Sequence, residues 1–141
     1  MNKIESFAAD GGVLLALALN EHTTLPLKEK ILNGVASIYT HHYALTELLY
    51  VICRTTGMET ARRKLHLLEK SRVVTIISPE ELIDYAAREK CNRRIALADC
   101  FTIALAIFKS CVALFARKER ELLESMKQKP FPIPIRFLKD I

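Results

Sequence analysis

Three carboxylates in this chain stand where a surface acid is not expected. In "RRIALADCFTIALA", residues 93–106, Asp99 interrupts a run that is otherwise almost wholly apolar. On a helix its neighbours are Ile95, Ala96, Thr102, Ile103 and Ala106, with no Lys or Arg three or four residues away. An unpaired buried carboxylate is costly, so a water-filled cleft, a cation or a basic group from a distant segment must compensate it. Glu47 has Tyr43, Ala44, Tyr50 and Val51 at the same spacings, again without a basic partner. Asp10 ends the stretch "IESFAAD" just before Gly11-Gly12, a position that suits a helix N-cap as well as a site. Glu119 and Glu121 follow "CVALFA", residues 111–116, and each taken singly reads as a surface acid. Gathered together, such carboxylates repel and some take up protons. A hard divalent cation removes that conflict, and oxygen-only ligation with several waters retained suits Mg²⁺ or Mn²⁺ rather than zinc.

Gathering them requires elements that converge, and the chain alternates strands with helices. A short strand is predicted over 4–10, helices over 13–20 and 26–32, and a strand over 35–40; Pro26 suits a first turn and Asn33-Gly34 a helix end. "YALTELLYVICR" continues as a helix stopped by Thr-Thr-Gly at 55–57, and residues 58–70 form an amphipathic helix with a basic face. "VVTII", residues 73–77, reads either as a strand or as an extended link. Ser78-Pro79-Glu80-Glu81 has the pattern of a capping box opening a helix to about Lys90. A helix over 95–109, a strand over 111–116, a helix over 119–127 and a last strand in "PIRFL" complete the series. The pattern implies a three-layer α/β/α sandwich around a mainly parallel sheet. Ligands in such folds bind beyond the carboxyl ends of the strands, which is where Asp10 and Glu119 fall.

Composition fits one domain spanning residues 1–141, half of it hydrophobic and a quarter charged, with no repeat, linker or low-complexity tract. The longest strictly apolar stretch, "VLLALAL", is far shorter than the roughly 20 residues of a membrane helix. "MNKIESFAADGG" carries acids where a signal peptide has a basic, then apolar, lead-in, so a cytoplasmic protein is expected. The four cysteines, Cys53, Cys91, Cys100 and Cys111, form no C-x-x-C pair and read as reduced thiols in or near the core. A net charge of +5, with clusters at Arg62-Arg63-Lys64, Arg93-Arg94 and Arg117-Lys118, favours a polyanionic partner.

"SFAADGGVLLALALN", "LNGVASIYTHHYALTELLYVICRTTG", "IALADCFTIALA", "VALFARKERELLE" and the terminal "PIRFLKDI", in that order, together resemble a PIN domain, with greatest likeness to the archaeal VapC-like toxin ribonucleases. The resemblance implies a frequently dimeric, RNA-cleaving toxin of a toxin–antitoxin module whose acidic pocket binds Mg²⁺ or Mn²⁺. Carried over by position, Asp10 matches the first acid, Glu47 the helical Glu and Asp99 the acid of the later helix, with the fourth near Glu119. On that likeness Asp10 and Asp99 are the main metal ligands, Glu47 ligates directly or through water, and Glu119 serves a second metal or orients the nucleophile. Two departures stand out. Phe115 and Ala116 precede two glutamates where a Ser or Thr and then an Asp are usual, which makes Glu121 a substitute, and Gly11 replaces the usual Ser, Thr or Asn. Arg93, Arg94, Arg117 and Lys118 lie near the acids in sequence and are expected to hold RNA phosphates.

His41-His42 read as turn or surface residues, and Thr46 and Thr102 as capping or packing groups. The apolar helices at 28–33 and 45–53 are expected mainly to pack in the core, and otherwise to offer part of a groove for an antitoxin helix or a second copy of the chain. Two other functions are consistent with the acids: a catalytically weak or inactive PIN-like module that binds RNA or protein, and a phosphatase. The second is disfavoured because Glu47 and Asp99 fall on helices and Asp10 lacks an adjoining Asp.

Overall fold

A computed structural model describes residues 3–141. Its five strands are β1 (Glu5–Ala9), β2 (Ala36–Thr40), β3 (Val74–Ile76), β4 (Val112–Phe115) and β5 (Ile135–Phe137). They pair in parallel in the order β3-β2-β1-β4-β5, so β1 is central and the segment over 73–77 is a strand. The helices are α1 (Gly11–Ala18), α2 (Leu25–Leu32), α3 (His42–Thr56), α4 (Met58–Lys70), α5 (Ile83–Asn92), α6 (Leu97–Lys109) and α7 (Arg120–Gln128).

Strand side chains alternate between two helical layers, as a sheet covered on both faces requires. Phe7 and Ala9 of β1 pack with α1–α4, through Val13, Leu14, Leu27, Leu48, Ile52 and Ala61. Ala8 faces the opposite layer, where Ala86 of α5, Ile103 and Leu105 of α6 and Leu122 of α7 meet Ala113 and Phe115 of β4. Phe7, Leu14, Leu48 and Leu105 are fully buried, each contributing about 1.5–3 kcal/mol by its removal from water.

Two turns in the first layer depend on glycine. Gly34 (φ +71°) follows α2, and Gly57 (φ +92°) separates α3 from α4; both adopt a backbone that favours a residue without Cβ. The expected capping box at Ser78 does not form. Pro79–Glu81 make a short 3-10 turn, Ser78 Oγ meets the Glu80 carboxylate, and α5 begins only at Ile83. Cys91 is exposed, which corrects its assignment to the core, whereas Cys100 and Cys111 are buried and Cys53 is half-buried. Among the described residues no helix is long and apolar enough to cross a membrane.

Candidate active site

Every predicted acid lies at the carboxyl end of the sheet. Asp10 follows β1 and caps α1, its Oδ1 accepting the Val13 N–H at 2.9 Å, so the N-cap reading is realised. Thr40, at the end of β2, donates its hydroxyl to the Ala9 carbonyl at 3.1 Å and so fixes the strand end that carries Asp10. Glu47 is in the second turn of α3, which starts directly beyond β2. Asp99 is the third residue of α6, two residues nearer the start of the helix than a start at 95 implies. In this first turn the free N–H groups and helix dipole favour its negative charge, and they supply part of the compensation that the sequence withholds. Glu119 is the residue before α7 and Glu121 lies in that helix's first turn.

These acids share one electrostatic environment. Burial pushes the Asp10 carboxyl up to about 7, with Glu47 and Asp99 adding to the shift and the Val13 and Ala116 backbones opposing it. Burial likewise lifts Asp99 to about 6, reinforced by the charges of Glu119, Glu47 and Glu121. Glu47 is raised by burial and by Glu119, with the Arg117 guanidinium acting against both. Carboxylates raised by burial and by neighbouring acids form a donor set suited to a hard divalent cation. Among the described residues no three His, Cys, Asp or Glu side chains converge on one point. The acids therefore share a field rather than a finished coordination shell.

Gly11 explains its own departure from the usual Ser, Thr or Asn. A Cβ built there would lie 2.7 Å from Glu47 Cδ and 2.8 Å from its Oε2. The Glu47 carboxyl thus occupies the space a side chain at 11 would need. Gly12 permits an equally close approach, since its Cβ would stand 2.7 Å from the Ala116 Cβ.

Among the predicted phosphate-binding residues, Arg93 is corrected. Its side chain is only 3% exposed, pairs with Glu89 at 2.7 Å, donates to Ser125 Oγ at 3.0 Å and to the Lys129 and Pro130 carbonyls, and stacks on Phe131. With its donors so engaged, it ties α5 to the end of α7 instead of facing a ligand. Arg94 and Arg117 are exposed; Lys118 is also exposed but contacts the Asp140 carboxylate at 3.4 Å.

The histidines are the second correction. His41 is buried: it caps α3 and meets Thr102 Oγ1 at 2.8 Å, and burial drops its pKa to about 3. His42 packs against Tyr43 and, edge-on, against Phe101, and its buried Nδ1 has no hydrogen-bond partner among the described residues. Thr46 bonds within its own helix, to the His42 carbonyl. Sequence periodicity gave no sign of the His41–Thr102 pairing, because the two residues are 61 positions apart.

The sequence pattern that defines the PIN domain matches residues 8–126, from β1 into α7. The chain belongs to the PIN domain family. Solved structures share its fold at low identity. VapBC2 from Rickettsia felis, bound to a DNA fragment from its promoter, aligns with a TM-score of 0.68 and 14% identity, over 94% of this chain and 98% of that one. DNA-bound VapBC from Salmonella typhimurium aligns with a TM-score of 0.62 and 13% identity, over 96% and 98% of the two chains. VapC20 from Mycobacterium tuberculosis, a toxin that cleaves the sarcin-ricin loop, gives 0.53 and 16%, over 77% and 87%. No curated protein sequence matches the chain. As a PIN domain it keeps the three-layer sandwich expected from its alternating elements.

Proposed function

We propose that this PIN domain is a divalent-metal-dependent endoribonuclease and the toxin of a toxin–antitoxin pair. The observation that carries the reading is that Asp10, Glu47 and Asp99, from three separate segments, lie at the carboxyl end of the sheet with carboxyls raised by burial and by neighbouring acids. Asp10 and Asp99 would be the main ligands of Mg²⁺ or Mn²⁺, with Glu47 ligating directly or through water. A bound ion stabilises the negative charge that builds on phosphodiester oxygens and lowers the pKa of the attacking water. Glu119, with Glu121 beside it, would orient the nucleophile or serve a second ion. Arg94 and Arg117 supply exposed positive charge for RNA phosphates around a pocket that is itself negative.

For the antitoxin, an apolar groove of about 410 Å³ lies between α1, α2 and α4, lined by Leu17, Ile31, Leu32, Leu67 and Leu68 with Lys28 and Lys64 at its sides. Leu32 is 85% exposed and Leu67 57%, an arrangement that suits the apolar face of a partner helix. Residues 45–53, by contrast, are mostly spent on the core through Leu48 and Ile52. A homodimer and a cytoplasmic setting belong to the same proposal.

Cleavage of RNA by the purified chain that requires Mg²⁺ or Mn²⁺ and disappears in Asp99→Asn is the expected result. Metal-independent cleavage, or full activity in that variant, would overturn the proposal. The separated acids and the Ala116 departure favour one other reading, a non-catalytic module. That reading predicts RNA or partner binding with no cleavage under any metal.

A further inference from the structure

His is a poor choice for a helix N-cap, where Ser, Thr, Asp and Asn serve better. Yet His41 holds that position at the start of α3, 1% exposed. The Ala44 N–H donates to its Nδ1 at 3.3 Å, so the ring's proton lies on Nε2. Nε2–H then donates to Thr102 Oγ1 at 2.8 Å, and the Thr102 hydroxyl is directed in turn at the Ala98 carbonyl at 3.4 Å. This relay runs from α3 in one layer to α6 in the other, across the carboxyl end of the sheet. Its ends sit beside the acids: Ala44 is one turn before Glu47, and Ala98 immediately precedes Asp99. Ser, Thr, Asp or Asn could cap α3, but each is too short to reach Thr102 as well. The second bond is what the imidazole adds, and burial keeps it neutral in the form the relay needs.

We infer that His41 and Thr102 form a positioning strut that sets the separation of the helices bearing Glu47 and Asp99, and with it the grip of the acids on a divalent cation. The inference rests on the metal-site reading above.

It is tested by Mn²⁺ binding to the full chain, followed by electron paramagnetic resonance, with Tm measured in parallel by circular dichroism. Thr102→Val keeps the side-chain shape and removes the hydroxyl; it should weaken Mn²⁺ binding about tenfold, the low end for residues that orient metal ligands. Thr102→Ser should restore it. His41→Asn retains a capping oxygen but falls short of Thr102, should weaken binding to the same degree, and decides the matter if Thr102→Val does not fold. Wild-type Mn²⁺ affinity in folded Thr102→Val or His41→Asn, whatever the Tm, would reduce the strut to a packing contact and overturn the inference. A wild-type chain that takes up no Mn²⁺ would instead sink the metal-site reading, and the strut's role along with it.

Discussion

Burial and the neighbouring charges of Glu47 and Asp99 hold a proton on Asp10 up to about pH 7, whereas the unfolded chain releases it near 3.8. Without metal, this group's contribution to stability is complete below about pH 4 and is lost as pH rises through 7. Asn cannot ionise and still caps α1. Asp10→Asn should therefore stabilise the metal-free chain, by about 1–2 kcal/mol at pH 8 and by little at pH 4. Urea unfolding of both proteins in chelator checks this difference directly. The difference is the right quantity because His41, with its lowered pKa, tilts the whole-chain curve the other way at acid pH. Gly11 makes a second residue-scale prediction. In Gly11→Ser the new Cβ meets Glu47, and a displacement of order 1 Å there should lower the cleavage rate by up to about 10²-fold. Undiminished cleavage would mean that the Glu47 position is immaterial to the chemistry.

At the scale of elements, two adjacent arginines separate support from binding. Arg93 joins α5 to the end of α7, and removing it leaves Glu89, whose side chain is 14% exposed, without its partner. Arg93→Ala should cost about 3–5 kcal/mol in unfolding free energy while sparing the KM for RNA of the folded fraction. Arg94→Ala should do the reverse, raising KM with little change in Tm. Both arginines sit in one charged pair in the sequence, and only the turn between α5 and α6 assigns one inward and the other outward. The groove over α1, α2 and α4 follows the same logic: hydrophobicity marks all the helices, but packing decides that Leu48 is covered and Leu32 is not.

For the molecule as a whole, metal binding should appear as stability. An ion at a hundredfold excess over its Kd should add about 2.7 kcal/mol to the folded state. Because ligation displaces protons from Asp10 and Asp99, the Mn²⁺-induced rise in Tm should be larger at pH 8 than at pH 6. An equal rise at both values would exclude these carboxyls as the ligands. The net charge of +5 predicts RNA affinity that falls with salt, and Arg94→Ala and Arg117→Ala should each reduce the log–log slope by about 0.7 if they contact phosphates.

The linear order of residues determined the alternation of elements, the parallel sheet with both faces covered, and the three anomalous acids. Each of these signals is local, either a period of two or 3.6 or a charge with no partner three or four positions away. Tertiary structure alone decided what lies between distant segments. The His41–Thr102 relay, the filling of the space over Gly11 by Glu47 and the inward turn of Arg93 all join residues from different elements. No periodicity records such pairings, because they arise only when folding brings the ends of β1, β2 and β4 together.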